Sequence, residues 1–327
     1  MIKIGVIGAG HLGKIHIKLL KEIEEANLIG FYDIDKENAK KVEKEFGIKS
    51  FETLDGLLNK VDAVDIVTPT TTHFEIAKQA IKRQKHIFVE KPVAASTEEA
   101  EQLVKLSYEA GIKAQVGHVE RFNPAFLTVK DYIDKPMFIE IHRLAQFNPR
   151  GTDVSVVYDL MIHDIDLTLT ITNSRIKRIS SSGVAVVSDT VDIANARIEF
   201  DSGAVANLTA SRISLKKMRK MRLFQKNAYL AADLLEKKVE IIKMKNVEQE
   251  ENPFGIYIDT PKGKKQIYYT NPEVKENNAI KEELTEFCKA IKYDKNPPVT
   301  IEEGYSALKV ADEIDKQIRK AEISLGE

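Results

Sequence analysis

Ile2-Lys3-Ile4-Gly5-Val6-Ile7-Gly8-Ala9-Gly10-His11-Leu12-Gly13 is the stretch whose reading decides the fold. Its first six residues form a short apolar run that reads as a buried strand, and Ile15, Leu19, Leu20 and Ile23 behind it recur at helical spacing. Gly8 permits a tight turn, Gly10 lets backbone N–H groups approach a pyrophosphate, and Gly13 lets the helix pack closely on the strand with its N-terminus facing negative charge. Three glycines alone occur in many loops. Here the next strand, Leu28–Tyr32, ends at Asp33, at about the twenty-residue distance expected of the acid that binds a ribose 2′-hydroxyl. A carboxylate repels a 2′-phosphate, so the pairing favours NAD over NADP, with neighbouring Lys36 counting the other way. The competing reading of Asp33 is a cap for the helix that begins near Lys36.

Outward from this unit the pattern repeats. Ala63–Val67 is a further central strand that opens into Thr68-Pro69-Thr70-Thr71-Thr72-His73, a turn rich in hydroxyls and N–H groups, before a helix over Phe74–Lys82. Thr71 or Thr72 can equally serve that helix as a cap. His86-Ile87-Phe88-Val89 then reads as a buried strand that stops at Glu90-Lys91-Pro92. Ligands gather beyond the carboxyl ends of parallel strands, and Pro92 biases Lys91 towards an extended backbone, so the lysine is aimed at that edge. Read alone, Lys91 is equally a surface lysine at a strand end. Ser96 and Glu99 have capping-box spacing for a helix to about Ala110, and Ile112–Val116 gives another strand. Such alternation requires an α/β domain with a doubly wound parallel sheet.

Near residue 121 the alternation stops, which divides the 327 residues into an NAD-binding domain over 1–121 and a substrate-binding and oligomerisation domain over 122–327. The second reads as α+β with an open, mainly antiparallel sheet. Strands are expected over Met137–Phe147, Ile176–Val187, Val191–Phe200, Ala204–Ile213, Lys220–Phe224, Ala228–Asp233, Val239–Lys243 and Lys265–Tyr269, with a hairpin turn at Asp201-Ser202-Gly203. Two helices close the chain, over Asn278–Tyr293 and Ile301–Ala321. The basic run Lys216–Arg222 reads as a strand with a solvated charged face before it reads as a phosphate site.

A formal net charge of -1 provides no field for nucleic acid or an anionic membrane, so small molecules are the expected partners. The single cysteine, Cys288, falls with Leu284, Phe287 and Ile291 at helical spacing, excludes an internal disulfide, and suits a reducing, cytoplasmic setting. Neither a leader peptide nor a run of membrane-spanning length is expected.

Val156–Ile171 reads as a strongly apolar helix carrying Asp159, His163 and Asp166 at i, i+4 and i+7, hence on one face. Buried carboxylates are costly unless paired or used. A satisfied polar cluster, a His/carboxylate metal site and a catalytic acid/base group all meet that description.

The glycine fingerprint, Asp33, Thr68-Pro69 with His73, Glu90-Lys91-Pro92, Arg121-Phe122-Asn123-Pro124, and Asp159 with His163 and Asp166 together resemble the Gfo/Idh/MocA family, in order and over nearly the whole chain. The resemblance implies a Rossmann domain followed by an α/β domain whose open sheet mediates a homodimer or homotetramer, with nicotinamide between the two. It implies a cis Lys91–Pro92 bond, and a catalytic group of Lys91, Asp159 and His163 with no metal. Gly8, Gly10, His11, Leu12, Gly13, Asp33, Thr68, Pro69, His73, Glu90 and Lys91 would serve the cofactor. Lys91, Arg121, Asn123, Asp159 and His163 would serve the substrate, a sugar or nucleotide sugar. The chemistry agrees: a neutral histidine can take a hydroxyl proton while a lysine stabilises the developing alkoxide. Ser155-Val156-Val157-Tyr158 departs from the family's glycine-rich run before the aspartate, which predicts a different pocket. The loop Gly117–Ala125 looks like the branch that oxidises nucleotide sugars, the UDP-N-acetylglucosamine 3-dehydrogenases. Rival expectations are a dehydrogenase of a free polyol, aldose or other carbonyl compound, an NAD-using glycosidase, and an NAD-binding regulator.

Overall fold

The computed structural model describes residues 1–148, 152, 154–249 and 254–325. Its first half alternates β1 (Ile2–Ile7), α1 (His11–Leu20), β2 (Ala26–Tyr32), α2 (Lys36–Phe46), α3 (Leu54–Leu58), β3 (Ala63–Ile66), α4 (His73–Lys82), β4 (His86–Glu90), α5 (Thr97–Ala110) and β5 (Ala114–Gly117). The strands form a parallel sheet in the order β2-β1-β3-β4-β5. Since β2 lies on one side of β1 and β3 on the other, the strand order reverses at the carboxyl end of β1, where open α/β sheets bind ligands. Local chemistry sets the helix boundaries. Asp35 caps α2 by accepting from the Glu37 and Asn38 N–H groups, and Ser96 caps α5 by accepting from Glu99. Glu99 returns its carboxylate to Ala95 N–H, one residue before the position a capping box uses.

Beyond β5 come α6 (Pro124–Lys130), β6 (Phe138–Leu144), a π-helical turn over Val157–Met161 that leads into α7 (Ile162–Thr172), β7 (Ile176–Val184), β8 (Ile193–Phe200) and β9 (Val205–Ser211). Then follow β10 (Met218–Gln225), β11 (Ala228–Asp233), β12 (Lys238–Asn246), β13 (Ile256–Thr260), β14 (Gly263–Thr270), α8 (Ala279–Lys292) and α9 (Ile301–Leu325). Nine strands make one sheet in the order β13-β14-β12-β11-β10-β6-β9-β8-β7, antiparallel except for the β6–β9 pair. The hairpin between β8 and β9 turns through Gly203 at φ +84°, a conformation that L side chains rarely adopt. Within the basic run, Arg222 pairs with Glu140 at 3.0 Å and Lys220 lies 3.7 Å from Asp233, so these two charges make cross-strand ion pairs. Sequence periodicity did not anticipate α3, α6 or β13, which are too short to develop a pattern.

The chain forms two compact units, one of residues 1–122 with 278–309, the other of 123–277 with 310–327. This departs from a plain division into 1–121 and 122–327, because α8 and the start of α9 belong with the parallel sheet. The apolar face of α8 is the cause: Leu284, Phe287 and Cys288, all fully buried, share a core with Ile4, Val6, Ile17, Leu20 and Phe88. Periodicity identifies such a face but not the core it joins.

In the second unit β6 alternates inward and outward, and Arg143 falls in the inward register of Ile139 and Ile141. A buried guanidinium needs a counter-charge. Asp164 on α7 supplies it, accepting from Arg143 Nε at 3.0 Å with each oxygen and from Nη2 at 2.7 Å. Asp164→Asn strands a buried charge and is expected to cost about 3–5 kcal/mol of stability, whereas exchanging both residues for apolar ones costs much less. Denaturant unfolding of the two variants measures the difference.

Candidate active site

On the parallel-sheet unit the nucleotide elements converge at the carboxyl ends of β1, β2, β3 and β4. Gly8 turns at φ +92°, and a Cβ there would meet the Val67 carbonyl oxygen at 2.8 Å. At Gly13 a Cβ would run into the Gly8 carbonyl, so both positions must be glycine for the turn to close. Gly10 differs, because a Cβ would meet nothing within 4 Å. Protein packing leaves that space open, as close approach of a pyrophosphate requires. Gly10 also caps α1 without a side chain, and no acidic residue stands in the first turn, so the helix N-terminus presents backbone N–H groups to an anion. Gly10→Ala is expected to leave unfolding within about 0.5 kcal/mol of wild type. It is expected to weaken NAD by about tenfold, some 1.4 kcal/mol, in a titration.

Asp33 accepts from Ala9 N–H at 2.7 Å, Asn38 Nδ2 at 3.2 Å and Asp35 N–H at 2.8 Å. A carboxylate offers about four lone-pair sites, so capacity remains for a ribose hydroxyl. Lys36 donates to the Glu52 carbonyl and lies 3.4 Å from its carboxylate, which holds it back from a 2′-phosphate role. Half-buried Thr68 accepts from Thr72 Oγ1 at 2.8 Å. His11 and Pro69 are exposed, and Leu12 is half-buried. These residues fit a bound dinucleotide.

Lys91 follows β4 directly, is half-buried, and joins Pro92 through a cis peptide bond. Glu90 stands beside it in register with Gly117, where a Cβ would meet the Glu90 carboxylate at 2.8 Å, so Gly117 makes room for the acid. Glu90 Oε1 lies 3.4 Å from His16 Nε2, and His16 Nδ1 lies 2.9 Å from Asp65 Oδ2. Glu283 on α8 is fully buried and belongs to the same electrostatic group. Burial holds its carboxyl well above the ordinary range, and the Glu90 and Asp65 charges add to this. Glu90 is raised as well, by burial first. His16 is raised: burial opposes the charged ring, but the Asp65 carboxylate outweighs it. Sequence periodicity gave no sign of this cluster, whose members sit singly on α1, β3, β4 and α8.

Three residues expected to contact ligands have their polar ends engaged within the protein. His73 is 1% exposed, with Nδ1 2.8 Å from the Pro92 carbonyl oxygen and Nε2 2.8 Å from that of Thr68. Its ring ties the Thr68 turn to the Lys91–Pro92 turn, in place of the direct cofactor contact expected of it. Arg121 donates to Glu303 Oε1 at 2.8 Å, and Asn123 caps α6 through Ala125 N–H while its Nδ2 donates to the Leu234 carbonyl at 2.9 Å. Both are thus held in place by bonds within their own units.

On the other unit, Asp159 and His163 are both half-buried, whereas Asp166 is 1% exposed. The π-helical turn over Val157–Met161 widens the helix below His163, so the even i, i+4, i+7 stripe expected of a regular helix does not hold. Among the described residues, no group of three or more His, Cys, Asp or Glu is arranged to hold a metal ion. No helix among them is long and apolar enough to cross a membrane.

A switch-point glycine turn, a carboxylate at the end of the second strand and a lysine at the same sheet edge fit an NAD-binding oxidoreductase of the Rossmann class. Residues 2–118 match the Gfo/Idh/MocA oxidoreductase family with its NAD-binding Rossmann fold, and residues 135–230 match a C-terminal domain of that family. The chain belongs to the Gfo/Idh/MocA family and is an NAD-dependent dehydrogenase. It is 39% identical to the UDP-N-acetylglucosamine 3-dehydrogenase of Acidithiobacillus ferrooxidans over 73% of this chain and 76% of that one. The solved structure of that enzyme superposes with a TM-score of 0.87 at 32% identity, covering 97% of both chains. The scyllo-inositol 2-dehydrogenase of Bacillus subtilis is 33% identical over 65% of this chain and 68% of its own.

Proposed function

We propose that this protein oxidises a secondary hydroxyl of a nucleotide sugar, UDP-N-acetylglucosamine or a close relative, with Lys91 and His163 acting on the reacting oxygen. The observation that carries the substrate class is the likeness to the Acidithiobacillus ferrooxidans enzyme, which extends over 97% of both chains. The loop Gly117–Ala125 adds to it. When bound, the nicotinamide supplies the hydride acceptor. Gly8, Gly10 and Gly13 hold the pyrophosphate, and Asp33 the ribose. His163 accepts the hydroxyl proton, Lys91 donates a hydrogen bond to the same oxygen as charge develops there, and Asp159 orients the imidazole or binds a second hydroxyl. Arg121 and Asn123 take no part in substrate binding in this reading.

The same proposal includes self-association as a homodimer or homotetramer through the open face of the second sheet, where Phe224, Ile256, Ile258 and Tyr269 are exposed. Light scattering on the purified protein tests that part. It also includes a cytoplasmic setting, in keeping with the one buried, free cysteine.

NADH formation from NAD across a panel of UDP-sugars and free polyols tests the substrate. Turnover confined to a UDP-N-acetylhexosamine supports the proposal. Turnover of inositols or aldoses, with none for UDP-sugars, replaces it with the polyol reading.

A further inference from the structure

We infer that Asp65, His16 and Glu90 form a buried charge chain whose outer carboxylate accepts from the backbone N–H of Lys91 and so fixes the turn that carries it, which makes His16 a positioning residue for the reaction. This deepens the proposed function and rests on its assignment of Lys91. The chain runs from Asp65 Oδ2 to His16 Nδ1 at 2.9 Å, from His16 Nε2 to Glu90 Oε1 at 3.4 Å, and from Glu90 Oε2 to Lys91 N–H at 3.3 Å. Asp65 and His16 are fully buried. Both ring nitrogens therefore face carboxylate oxygens. A neutral imidazole would turn a lone pair towards one of them, whereas an imidazolium hydrogen-bonds Asp65 through Nδ1 and faces Glu90 with Nε2 at ion-pair distance, where no hydrogen bond is made.

Charge balance gives the same answer. Asp65 on β3, Glu90 on β4 and Glu283 on α8 bring three carboxyl groups to this buried region, and the cations facing them are His16 on α1 and Lys91. Cys288 on α8, its thiol pushed up to about 12 by burial and the Asp65 charge, stays neutral. β5 contributes only the uncharged Gln115. Two cations balance two carboxylates, so the third carboxyl keeps its proton. That carboxyl is Glu283, whose oxygens have no hydrogen-bond partner among the described residues. His16 then compensates Asp65 and draws down the proton affinity of Glu90, leaving Glu90 ionised opposite Lys91. Phe88, ring to ring with His16 at 6.0 Å and with Phe287 at 5.8 Å, walls the chain off from the helical side, so water does not screen it.

The pH profile of kcat/KM tests this. In the wild type the acid limb reports one essential proton. His16→Asn removes the cation, and loss of an opposite charge at this range raises a neighbouring carboxyl, so Glu90 takes up its proton at higher pH and joins the acid limb. The expected limb moves up in pH, and its slope in log kcat/KM rises from about one to about two. Asp65→Asn, which weakens the hold on the His16 proton, is expected to move the limb the same way, and Glu283→Gln to leave it in place. A purely structural role would lower the whole profile without moving the limb. An unmoved limb in a folded, NAD-binding His16→Asn enzyme overturns the inference.

Nitrogen NMR of the histidine-labelled wild-type protein, which has seven histidines, is independent of how any variant folds. One histidine that holds its proton to higher pH than the others is expected, because the Asp65 carboxylate favours the charged ring. Its absence also overturns the inference. Failure of the reading it rests on would look different, because Lys91→Met would then retain wild-type turnover whatever the state of His16.

Discussion

Replacing Lys91 by methionine is expected to slow NADH formation by roughly 10³-fold, the upper end of what removing one donor from a developing oxyanion costs. Methionine keeps an unbranched stem of similar length, so the cis turn and the neighbouring strand are retained while the charge and its hydrogen bonds are lost. The loss should fall on kcat, because alkoxide character develops on the way to the transition state and is small in the bound alcohol. NAD affinity should change little, since the pyrophosphate and ribose contacts lie at Gly8–Gly13 and Asp33. Steady-state kinetics together with an NAD titration separates the two effects. A rise in KM at constant kcat would make Lys91 a binding residue and remove it from the chemical step.

His163→Ala should lose about 10²–10⁴ in turnover, the usual worth of general acid–base catalysis, and still bind NAD. Wild-type activity should fall as pH falls while that of the variant stays nearly flat, so the loss is largest on the alkaline side, because the group whose protonation state matters has gone. Base catalysis by a neutral imidazole predicts that activity rises with pH and then levels. Equal turnover in variant and wild type would exclude the histidine from the mechanism. Asp159→Asn should have a smaller effect than His163→Ala, because an amide retains the shape and one acceptor while losing the charge that stabilises an imidazolium.

The Arg143–Asp164 pair bears on the same helix. A bidentate buried ion pair is weak support for stability but strong support for one register, since sliding α7 along β6 would leave two charges unpaired. The pair therefore holds the segment that carries His163 at its N-terminal end. Asp164 lies next to His163 in sequence, yet its side chain is buried against Arg143 while His163 is half exposed. Two neighbouring polar residues on one helix thus do different work.

The nucleotide half of the protein was legible because its chemistry is local. Within thirteen residues the strand, the turn and the helix follow from burial pattern and glycine geometry, and the acid that completes the set stands at the end of the next strand. Lys91 was legible for a similar reason, as a charged residue at the abrupt end of an apolar strand, held by the proline behind it. The cap at Ser96 was legible as well, accepting from the N–H three residues ahead, whereas the cap of α2 falls at Asp35 and not at Asp33.

Other features depended on partners far along the chain. Arg121 and Glu303 are 182 residues apart, Gln115 and the Glu283 carbonyl 168, and Asn123 and the Leu234 carbonyl 111. No spacing rule reaches across such distances, so a polar residue in a suggestive loop reads as a ligand contact until its protein partner is known. By itself the sequence determined the Rossmann class and the cofactor, because backbone sterics and short-range periodicity are properties of the local chain. Only the tertiary structure decided that α8 completes the first core, that the polar ends of His73, Arg121 and Asn123 meet partners within the protein, and that His16 lies between Asp65 and Glu90. Burial and charge pairing depend on which distant segments meet, and that is settled by packing of the whole unit.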